Sequence, residues 1–334
     1  MQSDKIYVMD FIKKNKLVSY AIVILIISIV ILVLMGTGAL RITDYMKEEA
    51  NSKLEKTAQA YSADINAKFA HMSETTDIVV ATVKNEFDVS SYNNAPDAYI
   101  DEYSRNISGT LKGIMKETEE ISGIYVMFDE TYTDSPKEIW YTRKGEKIER
   151  TYADLTRMKA ERNLETRDTE YFFTSLKSDK GVWTGLYYDG NLDQDVFSYS
   201  RSIYKNGQLI AVVGTDITQK DSIGILNNKN EYPEGQIAIL DEYDKYVVKQ
   251  DTLESYEAKA VRKQLKSTLR NSPDLKSGFM SFSVKDTPCV AGFSVLDNGW
   301  RFVLMEDSSV AYSTEQRLEH LMLILTGILL LVVI

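Results

Sequence analysis

Leu17 to Leu40 reads LVSYAIVILIISIVILVLMGTGAL, 24 residues without a charge. About 20 apolar residues at 1.5 Å rise cross a bilayer, so 17–40 is read as an uncleaved transmembrane helix. A cleaved signal peptide has a shorter apolar core of about 7–15 residues, which this run exceeds. Ahead of it, Lys5, Lys13, Lys14 and Lys16 outnumber Asp4 and Asp10, which puts residues 1–16 in the cytoplasm. At the other end, Leu321–Ile334 reads LMLILTGILLLVVI. A buried core helix is one reading of it. A stretch apolar on every face points to lipid instead, so 321–334 is read as the first part of a second span.

Residues 41–320 then form a soluble block on the far side of the membrane. The chain of 334 residues has a net charge of −10, and the four lysines near its start make the middle more acidic still, which argues against a nucleic-acid surface. The single cysteine, Cys289, leaves no intramolecular disulfide and no CxxC metal site, and fits a bacterial surface. His71 and His320 stand far apart, so no zinc site and no cofactor is expected. The motifs GxSxG, HExxH, GxxxxGK[ST] and GxGxxG are absent, and no catalytic residue is assigned. Glu119-Glu120 reads as a solvated helix face. The segment Asp189–Asp195 (DGNLDQD) lacks the later Glu of a calcium loop.

Between Ile42 and about Asn85 there is no Pro or Gly, and Ala58, Tyr61, Ile65, Phe69, Met72, Thr76, Val79 and Val83 recur at steps of three or four. The spacing predicts a long stalk helix over 41–85. Its stripe packs either on its own domain or on a twin helix in a homodimer. A second helix is expected from Ala98 to about Glu120. Strands follow at Ser122–Asp129 and Lys137–Thr142, then a hairpin of Asp195–Ile203 and Gln208–Ile217 around Asn206-Gly207. A smaller set comprises strands Gln236–Leu240, Lys245–Gln250, Gly278–Lys285, Pro288–Leu296 and Trp300–Glu306, with a helix near Tyr256–Leu269. The fold class is α+β: a long N-terminal helix carrying two PAS-like antiparallel-sheet modules, distal over 86–225 and proximal over 226–313, flanked by transmembrane helices.

This order of parts resembles the double Cache sensor domain of bacterial transmembrane receptors, from Arg41 to about Ser313. The similarity is sharpest over 165–217. Members show an Arg-x-Trp-Tyr element, then Trp-Thr, Tyr-x-Asp and Gly-x-Asp-Ile. Here Trp183-Thr184, Tyr187-x-Asp189 and Gly214-Thr215-Asp216-Ile217 match, with 27 residues from Asp189 to Asp216. Tyr171-Phe172 stands in place of Trp-Tyr, Thr169 in place of the Arg, and Arg167 lies two residues further back. In relatives that bind free amino acids, the resemblance implies, the aspartates hold the ammonium and the Arg holds the carboxylate.

The ligand-binding candidates are therefore Tyr171, Phe172, Trp183, Tyr187, Asp189 and Asp216, with Tyr125, Trp140 and Arg167 as further lining. Carboxylates give a cation charge-assisted hydrogen bonds of roughly 1.5–3 kcal/mol. Tyr171, Trp183 and Tyr187 give cation–π contacts of about 0.5–2 kcal/mol. Without an Arg at position 169 a cationic amine competes with an amino acid as the ligand. Asp216 also reads as a helix cap, Trp183 as core, and only one of Tyr187 and Tyr188 can face a pocket. Trp300 and Phe302 read as packing, which makes the proximal module structural. The functional expectation is a ligand-gated receptor whose output domain, beyond residue 334, is a methyl-accepting domain, a histidine kinase or a diguanylate cyclase. The alternatives are a membrane-anchored structural or partner-binding module with a vestigial pocket, and an anchored extracytoplasmic enzyme.

Overall fold

The computed structural model describes residues 16–134, 137–151, 169–222, 232, 235–250 and 252–333. Helix α1 runs unbroken over Lys16–Glu86, 71 residues, or roughly 107 Å at 1.5 Å per residue. Its first part, from Tyr20, is the one helix among the described residues long and apolar enough to cross a membrane. The side chains of Ile22–Ile27 are about half exposed there. All eight residues of the stalk stripe, Ala58 through Val83, are buried. They are buried largely by the chain's own sheets, the first of the packings open to this stripe. Any partner helix would have to use another face.

The distal module starts with α2 (Val89–Asn94), whose N-cap Asp88 accepts from the Ser90 amide, and α3 (Pro96–Glu117). Helix α3 turns Ile100, Tyr103, Ile107, Leu111 and Met115 inward at helical spacing. Seven strands follow: β1 (Gly123–Phe128), β2 (Glu138–Lys144), β3 (Lys147–Thr151), β4 (Val182–Trp183), β5 (Tyr187–Asp189), β6 (Gln194–Lys205) and β7 (Gln208–Thr218). Their order is β3-β2-β1-β7-β6-β4, with β5 also paired to β6, all antiparallel. Asn206 and Gly207 both take positive φ, 56° and 79°, which is the turn a two-residue hairpin needs. The short strands β3 and β4 went unanticipated, while β5 carries the expected alternation of Tyr187 and Tyr188.

The proximal module is a five-stranded sheet ordered β10-β11-β12-β8-β9. Its strands are β8 (Gln236–Leu240), β9 (Tyr246–Lys249), β10 (Ser277–Val284), β11 (Thr287–Val295) and β12 (Arg301–Asp307). Helix α5 (Ser255–Asn271) opens on a capping box between Glu254 and Glu257 and lays Ala258, Val261 and Leu265 on one face of this sheet. The other face meets α1. At Gly292 a side chain would run into the Leu54 carbonyl, so only glycine lets helix and strand approach this closely. After α6 (Ser308–Ala311), helix α7 (Ser313–Val333) returns along α1. There the Tyr312 hydroxyl donates to Asn51 Oδ1 at 2.5 Å.

Phe69 marks the junction of the two modules. Its ring lies 4.4 Å from Trp183 of the distal sheet and 5.6 Å from Trp300 of the proximal one, and the two indoles are 5.8 Å apart. Phe197 closes the group, 5.5 Å from Trp300. Strand, helix and strand thus share one aromatic seam.

Candidate ligand-binding site

Side chains alternate across a strand, so the distal sheet has two faces of different chemistry. One face carries Ile124, Val126, Phe128, Val213 and Ile217 and packs on the helices. There Thr215 Oγ1 meets Thr76 Oγ1 of α1 at 3.0 Å. The opposite face is built from two neighbouring cross-strand rows. In the first, β2, β1, β7 and β6 place Thr142, Gly123, Asp216 and Ser198 side by side. In the second they place Trp140, Tyr125, Gly214 and Ser200.

The glycines make this face possible. A Cβ at Gly123 would occupy the place of Asp216 Oδ2, and one at Gly214 would occupy that of the Tyr125 hydroxyl. Each large polar group therefore lies flat across the glycine beside it.

Asp216 is fully buried. Its Oδ1 accepts from Ser198 Oγ at 2.6 Å and from the Tyr187 hydroxyl at 3.4 Å, and the Tyr187 and Ser198 oxygens are 2.7 Å apart. Its Oδ2 has no hydrogen-bond partner. Burial, reinforced by the charge of Asp189, pushes the Asp216 carboxyl up to about 8. Burial also raises Asp189, while the amides of Asn191 and Leu192, donating to its Oδ1 at 2.7 and 2.9 Å, pull the other way. Burial raises Tyr125 and Tyr187 well above the ordinary phenol range, with Asp216 adding to both.

This face is covered by α4 (Glu170–Phe173) and β5. Tyr171 stacks on Tyr187 at 5.4 Å and meets Tyr125 and Trp140 edge-on at 5.3 and 5.8 Å, while Tyr125 and Trp140 are 4.7 Å apart. The fold thus brings together Tyr125, Trp140, Tyr171, Phe172, Tyr187, Asp189 and Asp216, residues drawn from five separate stretches of sequence. Tyr187 faces in and Tyr188 faces out.

Trp183 does not join them. Val182 pairs with Ser200 and Trp183 with Tyr199, so the indole falls on the helix face, in the seam with Phe69 and Trp300. Trp300 and Phe302 are buried, and Trp300 is a junction residue as well as a core one. Arg167 lies outside the described residues. The reading of Asp216 as a helix cap is corrected by its place inside β7. Asp221 is the residue that gathers Ser122 and Thr218 at the strand's end. In the Asp189–Asp195 segment, Asp189 caps its own turn. Among the described residues no group of three or more His, Cys, Asp or Glu could hold a metal ion. Glu120 lies 3.3 Å from His71 Nδ1.

Sequence reasoning missed Ser198, Ser200, Thr142 and the two glycines. Their signal was the alternation Val196-Ser198-Ser200-Ser202, which is small and polar on one side of a long strand.

Residues 107–222 match the family described as "Methyl-accepting chemotaxis protein-like, first PDC sensor domain". Among solved structures, the extracellular domain of the histidine-kinase candidate soHK1S-Z6 superposes with a TM-score of 0.61 at 14% identity, over 82% of this chain and 98% of that one. The fold is that of a double Cache sensor domain. Other structures with this double Cache fold include methyl-accepting chemotaxis protein X, with a TM-score of 0.58 at 12% identity over 79% of this chain and 99% of that one. The ligand-binding domain of the Campylobacter jejuni chemoreceptor Tlp3, solved with 4-methylisoleucine, gives 0.54 at 14% identity over 79% and 93%. No curated protein matches the chain in sequence. These neighbours are the extracellular domain of a histidine-kinase candidate, the ligand-binding domain of a chemoreceptor and a methyl-accepting chemotaxis protein.

Proposed function

We propose that this chain senses a small ammonium-bearing molecule on the outer side of a membrane and passes the binding event to the membrane-spanning helices. One observation carries the reading: Asp216 is fully buried, with one carboxylate oxygen unpartnered and tyrosine rings around it. An isolated buried carboxylate is costly, and a proton or a cation relieves it. In the empty pocket a proton does so, since the group titrates near 8. A ligand ammonium replaces that proton, donates to Oδ2 and lies against Tyr171 and Tyr187. Tlp3, with the same fold, was solved with isoleucine and valine, both of which carry such an ammonium.

The route outward is short. The Ser198 that donates to Asp216 also gives its amide to Thr184 Oγ1 at 2.8 Å, and the next residue is Trp183, in contact with Phe69 and Trp300. A ligand that draws Asp216 and Ser198 together biases this seam to the extent that it prefers one of its arrangements. Helix α1 continues from Phe69 into the apolar stretch from Tyr20, and α7 packs beside it.

The test is calorimetry and thermal melting of the full chain in nanodiscs against amines, amino acids and carboxylates. A ligand at a hundred times its Kd stabilises by about 2.7 kcal/mol, several degrees at roughly 2–4 °C per kcal/mol. Hits among amines or amino acids that vanish in Asp216→Ala are expected. Hits confined to carboxylates, or hits that survive Asp216→Ala, would overturn the reading.

A further inference from the structure

The pocket floor holds a second set of atoms that an ammonium leaves unused. In the row beside Asp216, Trp140 Nε1 has no hydrogen-bond partner and the hydroxyls of Tyr125 and Ser200 meet each other only in poor geometry, while Thr142 Oγ1 in the row of Asp216 itself has none. All four side chains are at most 2% exposed. A buried donor without a well-placed partner is costly, and native proteins keep few of them. Four in two adjacent rows, beside an unpartnered carboxylate oxygen, make a surface shaped for something absent.

The chemistry of the four atoms narrows what that is. An indole N–H only donates, so its partner must be an acceptor; the hydroxyls can donate to the same group. Tyr125 lies across Gly214 toward Ser200, and it feels the charge of Asp216. The donors and the carboxylate therefore face one small molecule.

Charge decides which acceptor fits. Asp216 and Asp189 already bring two carboxyl groups to this face, and Asp189 helps to raise Asp216. Lys144 acts on Asp189, and among the described residues no cation acts on Asp216. The four donors are all uncharged. A ligand carboxylate would add a third negative group to a buried site where no described residue supplies a cation to meet it, whereas a neutral oxygen adds none.

We propose that Trp140, Tyr125, Ser200 and Thr142 bind an uncharged acceptor oxygen of the ligand, an amide carbonyl or a hydroxyl, while Asp216 takes its ammonium. The ligand is then a monocationic amino amide or amino alcohol, not a zwitterionic amino acid or a bare alkylamine. This rests on the ammonium reading above and adds the ligand's second group.

Two matched series test it by calorimetry on the full chain in nanodiscs. One is isobutylamine, valinol, valinamide and valine. The other is phenethylamine, phenylalaninol, phenylalaninamide and phenylalanine. The alcohol or amide of at least one series is expected to bind at least tenfold tighter than both its amine and its amino acid. Trp140→Phe and Tyr125→Phe, checked for an unchanged melting temperature, should shrink that advantage several-fold, by more than either changes affinity for the matching amine. Amines that bind as well as the alcohols and amides, or amino acids that bind tightest, would overturn the inference and leave the ammonium reading standing. Silence from every member of both series would overturn the two together. An advantage that survives in both variants would remove these residues from the role.

Discussion

The two modules solve the same problem on one face and opposite problems on the other. Each sheet sets an apolar face against helix α1. On its second face the proximal sheet meets helix α5, and the contact is made of Val261, Leu265, Met280, Phe293 and Met305, all without a polar demand. The distal sheet's second face is covered by α4 and β5, and it carries a buried carboxylate, an indole N–H and three hydroxyls with atoms that make no well-formed hydrogen bond. What distinguishes a structural module from a sensing one is not topology. It is, on the function proposed above, whether the outer face is closed by apolar packing or left with polar atoms that a guest would satisfy.

The largest test of this contrast is pH. The folded-state pKa of Asp216 is raised from an ordinary 3.8 to about 8, so the folded chain holds a proton that the unfolded chain has released. Stability contributed this way is complete below the ordinary value and falls as pH rises toward 8, by up to about 1.4 kcal/mol per pH unit. In Asp216→Asn that slope should be missing from denaturation midpoints collected across the window, and neutral-pH stability should rise while ammonium binding disappears. An unchanged slope would mean that Asp216 is better solvated than its burial says. Next in size, Phe293→Ala in the proximal face should cost about 3–5 kcal/mol in chemical denaturation with no change in ligand affinity. On the distal face, Ser200→Ala should be close to neutral, because the hydroxyl removed has only a poorly formed contact with Tyr125 to lose. Comparable losses from both would erase the contrast.

Smaller effects sharpen it. Gly123→Ala puts a methyl group where Asp216 Oδ2 stands, and overpacking of this kind costs about 1–3 kcal/mol. The same substitution should weaken ligand binding, which calorimetry reads directly. Smallest is Tyr187→Phe, which removes the hydroxyl shared between Ser198 and Asp216. About 1 kcal/mol of stability is expected to go with it, measured by thermal melting in the absence of ligand.

Much of this was legible in the residues themselves. The stalk stripe announced its helix because eight apolar or small side chains keep helical step for 25 residues, and no strand can do that. Asn206-Gly207 announced the hairpin because both positions need positive φ. The aspartates and tyrosines of the candidate site came from the resemblance to the double Cache motif over 165–217. What the stripe could not say was what covers it, since a sheet and a twin helix demand the same apolar face. Trp183 was misplaced for a related reason: a two-residue strand has no alternation of its own, and only its register against Tyr199 assigns its face. Ser198 and Ser200 stayed invisible because small polar residues in a strand look like a solvent edge until the sheet is seen to bury them.

The chain's three tryptophans divide between the two places that matter. Trp140 stands in the pocket beside Tyr125, while Trp183 and Trp300 face each other in the seam. Indole emission therefore carries two messages at once, arrival of a guest and disturbance of the junction. Trp140→Phe silences the first and leaves the second audible, so any emission change that a ligand still provokes in that variant originates where the two modules and the stalk meet.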